Sequence, residues 1–178
     1  MLPPGHVAAG YLTGYALLKI THSSLTPVQT RHLLYWSMFF GFIPDWDSFV
    51  TFAKEKSFTV RNPERNDHRN FWNHAPILWL AAGLLIYFLA QSTFWKYWGL
   101  LLWLGSWSHF LMDSWEHGIM WLWPFSAKRF ALRDVELIKI GEPGFFSYWW
   151  EFLKIYTGRL TFYIEIIVIL AALIIYFK

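Results

Sequence analysis

Eight side chains that can ligate a metal or move a proton lie where apolar stretches of the chain begin or end. They are His6, Asp45, Asp47, His68, His74, His109, Asp113 and His117. Imidazole and carboxylate bind zinc, manganese or iron when thiolate is absent, and the chain has no cysteine. The His-rich set favours zinc, with manganese or iron as alternatives. His109, Asp113 and His117 are spaced by four, so on a helix they form one stripe. Asp45 and Asp47 follow Pro44 at a spacing of two. They need irregular backbone to point together, and Pro44 supplies it by disfavouring helix at Ile43.

Each feature alone is weak. A histidine at a helix end is more often a surface residue than a ligand, and Pro-Asp-x-Asp is a common turn. The weight comes from all eight gathering at one face, because ionisable groups at membrane depth are costly unless paired, coordinated or functional. His22 and His32 fall at the opposite face without acidic neighbours and read as surface residues. Arg69 reads as a charge anchor or as a clamp for an anionic substrate oxygen. Glu116 reads as a solvated loop residue. Glu165 reads as a partner for a loop cation or as support for a ligand histidine.

Such residues must be held by something, and the composition points to a bilayer. Of 178 residues, 56% are hydrophobic and only 15% charged, against about 25% charged in an average soluble domain. There are 13 tryptophans, and the mean hydropathy is +0.29. An all-α fold is expected: a polytopic membrane bundle of about five transmembrane helices in a single domain. The spans fall near 6–20, 33–53, 71–90, 97–115 and 160–177, each approaching the roughly 20 apolar residues a crossing needs. Polar loops cover 54–70 and 116–159. The run Ile119 to Phe125 is apolar but too short to span, and reads as an interfacial or re-entrant piece.

Charge sets the orientation. Lys19, Arg31, Lys96 and Lys178 fall on one side, and the other eleven of the fifteen basic residues fall on the side of the N-terminus. The positive-inside rule places the N-terminus in the cytoplasm, and all eight candidate residues with it. A formal charge of +3 in such a chain reflects cytoplasmic loops rather than nucleic-acid binding. The start Met1-Leu2-Pro3-Pro4-Gly5-His6 lacks the positive region of a secretory signal.

The sequence resembles the YdjM-like family of bacterial inner-membrane proteins, described as predicted metal-dependent hydrolases. The resemblance rests on His6-Val7-Ala8-Ala9-Gly10, Gly41-Phe42-Ile43-Pro44-Asp45-Trp46-Asp47, His68-Arg69 with His74, Ser108-His109-Phe110-Leu111-Met112-Asp113, and His117-Gly118 running into Leu122-Trp123-Pro124-Phe125-Ser126. Six steps separate His68 and His74, where the family usually has five. That spacing is closer to a related group of metal-binding membrane proteins. The ligand order is also similar to that of zinc-dependent phospholipase C enzymes.

These resemblances imply a hydrolase of a phosphoester or lipid-like substrate at the cytoplasmic leaflet of the bacterial inner membrane. His6, Asp45, Asp47, His68, His74, His109 and Asp113 would hold one or more divalent metal ions. His117 would act as general base and Arg69 as clamp. Two rivals stand beside this reading. One is a non-catalytic structural metal site. The other is a metal transporter, disfavoured because the outer halves of the spans are nearly free of polar residues.

Overall fold

The computed structural model describes residues 1–22, 24–59, 67–133, 135–141 and 144–178, and the side chain of His68 lies outside the described residues. The fold is all-α, with no strand among the described residues. Helix α1 covers Pro3–Ile20 and α2 Pro27–Phe42. A 3-10 segment, Ile43–Asp47, leads into α3, Ser48–Glu55. Two 3-10 turns, His68–Asn70 and Trp72–His74, precede α4, Pro76–Leu89. Then come α5, Thr93–Asp113, α6, Phe145–Thr157, and α7, Leu160–Tyr176.

The helix starts are written in the sequence. Pro3, Pro27 and Pro76 each occupy the first turn, where the missing N–H costs nothing. Thr26 and Gln29 form a reciprocal capping box on α2. Ser92 caps α5 by accepting from Trp95 N. Pro44 acts differently from the expectation. Ile43 keeps helical angles (φ −57°, ψ −29°), and the chain tightens into 3-10 geometry instead of leaving the helical region.

Helices α1, α2 and α5 pack together, α4 packs on α5, and α7 packs on α1. Leu18, Leu33, Phe40, Leu101 and Leu102 fill the centre. The α1–α2 crossing depends on glycine. A β-carbon on Gly10 would lie 2.3 Å from Ser37 O, and one on Gly41 would lie 2.4 Å from His6 O. Ser37 Oγ donates across the same crossing to Gly10 O at 2.6 Å. Small residues at a crossing let two backbones touch, as in lipid-embedded helix pairs.

Two of the helices, α4 and α7, bury small or polar residues and expose apolar ones. In α7 the buried residues are Thr161, Glu165 and Ala172, while Ile167 and Ile174 are exposed. In α4, Pro76 and Gly83 are buried and Leu85 and Phe88 exposed. No single helix among the described residues is long and apolar enough to cross a membrane. The pair α6 and α7, bent by 85° at their junction, passes that test together. The stretch 33–53 is not one helix but α2, the 3-10 segment and α3 in series. The stretch 116–159, read as a loop, contains α6. Ile119 pairs with Phe130 in an isolated antiparallel bridge.

Candidate metal centre

One end of the α1–α2–α5 core gathers the polar residues. His6 lies on the first turns of α1, Asp45 and Asp47 on the 3-10 segment, and His74 closes the turn before α4. His109 and Asp113 lie one turn apart at the end of α5. The Gly10–Gly41 contact matters here, because Gly41 O accepts from His109 Nδ1 at 3.0 Å. The close crossing thereby brings His6 and His109 together, and their rings stack with centroids 3.8 Å apart.

Asp45 Oδ1 lies 3.5 Å from His109 Nε2 and 3.7 Å from His74 Nε2, and its Oδ2 lies 3.8 Å from His6 Nε2. Asp113 Oδ1 lies 3.4 Å from His6 Nε2. These separations exceed the usual N–H···O range of about 2.7–3.2 Å. They suit two ligands on one ion, because donors about 2.0–2.1 Å from a tetrahedral zinc sit about 3.3 Å apart. Two groups, His6–His109–Asp113 and Asp45–His74–His109, each keep their donor atoms within 4.8 Å of one another.

The tautomers follow from the partners. A carbonyl only accepts, so His109 carries its proton on Nδ1 and turns the Nε2 lone pair into the cluster. Asp47 Oδ2 lies 3.0 Å from His74 Nδ1 and does the same for His74. Both ring nitrogens of His6 and Nε2 of His109 are buried without a hydrogen-bond partner among the described residues. Buried polar atoms are nearly always satisfied, so lone pairs turned toward one point fit a cation there.

Arg69 is drawn to the acids. Its Nε donates to Asp113 Oδ2 at 2.6 Å, and Nη1 lies 3.4 Å from Asp67 Oδ1. Burial opposes its charge, but Asp113 and Asp67 overcome this and hold the guanidinium pKa above its ordinary value. The α-amine of Met1 lies 2.8 Å from Asp113 Oδ1. His117 is half-buried. Its pKa is pushed well below the ordinary histidine value by burial, then by Arg69 and the Met1 amine.

The structure therefore brings together His6, Asp45, His74, His109 and Asp113. Asp47 stands behind His74 rather than among the converging atoms. The stripe of three on α5 shortens to two, because the helix ends at Asp113 and His117 lies beyond it. The expectation for His68 falls on a side chain outside the described residues. Glu116 is buried, not solvated, and accepts from Thr161 Oγ1 at 2.7 Å. Glu165 meets neither a loop cation nor a ligand histidine. It accepts from Gly5 N at 3.0 Å, Leu2 N at 3.4 Å and the Tyr156 hydroxyl. Sequence reasoning missed Asp67, which pairs with both Arg69 and Arg129. Its only signal was an acid two residues before Arg69.

An all-α chain with a buried His/Asp cluster at one end of its helices is the class that fold and site define. The sequence profile of the family described as YdjM inner membrane protein matches residues 1–178, and the chain belongs to that family. It is thus an inner-membrane protein. No curated protein and no solved structure matches it.

Proposed function

We propose that the chain is a multi-pass membrane protein with a metal-dependent hydrolase site facing the cytoplasm, acting on a phosphoester or lipid-like substrate at that leaflet. One observation carries the reading. The Nε2 atoms of His6, His74 and His109 and the carboxylates of Asp45 and Asp113 lie together as two overlapping buried donor groups that share His109. These five residues would hold the ion, zinc by donor type, with manganese or iron as alternatives. His109 offers one nitrogen and belongs to both donor groups, which favours a single shared centre over two separate ions.

A divalent cation held there supplies Lewis acidity toward a substrate oxygen. The protein's own groups do the rest. Asp47 and Gly41 O hold the ligand rings in register. Arg69 fixes Asp113 Oδ2 by a hydrogen bond and lines the adjacent cavity. His117 lines the same cavity and is placed to accept a proton. Multi-pass insertion is supported by the outward Leu, Ile and Phe of α4 and α7, by the inward small residues of the crossings, and by the family.

Metal analysis of the purified protein beside His109→Ala and Asp113→Ala tests the centre. Loss of metal in both variants is expected, and unchanged metal in both removes the site. Chelator-sensitive turnover of bis(p-nitrophenyl) phosphate and of phospholipid tests the activity. The complete burial of His6 and His109 favours a second reading, an inert metal that only joins helices. Bound metal without any chelator-sensitive turnover selects it. Alkaline phosphatase fused after Lys178 is expected to be active, which tests the topology.

A further inference from the structure

Beside the cluster lies a cavity of about 390 Å³ whose two ends differ in chemistry. The acidic and basic side chains of its lining, taken as its floor, are Asp45, Asp67, Arg69 and His117. Its walls are Phe49 and Phe52 from α3, Trp149 and Phe152 from α6, and Leu137 with Ile138 between them. Helices α3 and α6 stand outside the central α1–α2–α5 core, so the walls come from elements peripheral to that core. The wall also continues to the outer surface. Phe49 lines the cavity and is 52% exposed, and on α6 the neighbouring Phe146 and Trp150 are 85% and 63% exposed.

Ligand sites of roughly 300–1,000 Å³ are mostly apolar with a few placed polar groups. This cavity meets that description at the small end, which suits one hydrocarbon chain rather than two. The polar floor fixes the other part of the ligand. Arg69 is a planar donor suited to phosphate or carboxylate. Carboxylates crowd around it, however, since Asp45, Asp67 and Asp113 all lie close. An anion is accepted there only when a cation in the cluster offsets those acids.

We propose that the cavity seats a single-chain anionic amphiphile drawn from the bilayer, its head against Arg69 and the cluster and its chain between α3 and α6. The head-group half rests on the metal reading above. The chain half rests on the cavity walls alone. Exposed aromatics on the wall helices, Phe49 on α3 and Phe146 and Trp150 on α6, mark the bilayer as the source, because a ligand arriving from water would need a polar approach.

The test uses the full metal-loaded chain in phosphatidylcholine nanodiscs and a dodecylphosphonate bearing a terminal diazirine. Its carbon–phosphorus bond resists hydrolysis, so labelling does not depend on turnover. After illumination, adducts are expected on Leu137, Ile138, Trp149 and Phe152. Unlabelled dodecylphosphonate in about tenfold excess should reduce them about tenfold. Dodecanol, which has the chain without the head, should not. Chelation should abolish the difference between the two competitors. Leu137→Trp, outside any helix, should remove the cavity adducts from protein that elutes as wild type does.

Adducts spread over lipid-facing positions such as Leu85 and Phe88 would overturn the proposal, as would equal competition by dodecanol with metal present. Adducts on the outer residues Phe146 and Trp150 alone would also overturn it, and would assign α6 to the membrane surface instead. Mapped labelling without turnover fails the hydrolase reading and leaves this one standing. Turnover of bis(p-nitrophenyl) phosphate without mapped labelling fails this one alone.

Discussion

Two buried carboxylates flank the start of α1 and are used in opposite ways. Asp113, at the end of α5, is fully buried among charged and imidazole groups: the Met1 amine, Arg69 Nε and His6 Nε2. Glu165, on α7, is equally shielded but meets only neutral donors, two backbone amides and the Tyr156 hydroxyl. The first region keeps unpartnered imidazole nitrogens beside it. Among the described residues, the second leaves no carboxylate oxygen unbonded. Burial of an acid alone thus does not mark a candidate site in this protein. What separates a site from a fastening is whether its neighbours are satisfied by one another.

The largest effect should come from the first region. His109→Ala removes the nitrogen shared by both donor groups, and purified protein should lose its stoichiometric metal by elemental analysis. Should Glu165→Gln lose metal equally, the contrast between the two regions collapses. Next, Asp47→Asn leaves every converging atom in place but loosens the grip on His74. Metal affinity, measured by competition with a chelating dye, should fall by about 10–100-fold. Retained affinity would mean that His74 is fixed by something else.

Smaller effects belong to the second region. Glu165→Gln keeps the shape but replaces one acceptor oxygen with an NH2 that faces donors, and should lower stability by about 1–3 kcal/mol while metal content stays full. A thermal scan in detergent reads the first quantity and elemental analysis the second. Tyr156→Phe removes one donor of that set and should give the smallest loss, about 0.5–1 kcal/mol. An ordinary tyrosine hydroxyl titrates at about 10, so the wild-type hydroxyl keeps its proton at neutral pH. No change in its contribution is expected between pH 6 and 9, and a transition in that window would break the assignment.

Much of the site was legible because helix ends are legible. His6 follows a proline start, His74 precedes one, and His109 with Asp113 shares a face by spacing alone. What the sequence hides is the division of labour between like residues. Asp45 and Asp47 look equivalent on paper, yet the 3-10 turn directs one toward three imidazoles and the other behind His74. Glu116 and Glu165 depend on contacts more than forty and a hundred residues away, with Thr161 and Gly5. No local pattern encodes such pairings. Helix α6 was obscured for another reason. Its aromatic run resembles an interfacial belt, and its inner face is set by the cavity it walls and by the Tyr156–Glu165 contact, neither of which is local in sequence.

The short rung Ile43–Asp47 has a consequence for how this chain can vary. A 3-10 segment turns about 120° per residue, so inserting a single amino acid between Ile43 and Asp45 would swing that aspartate roughly a third of a circle away from its imidazoles. Length changes are expected to be absorbed in the polar stretch beyond α3. The five-residue spacer itself is a ruler of fixed gauge.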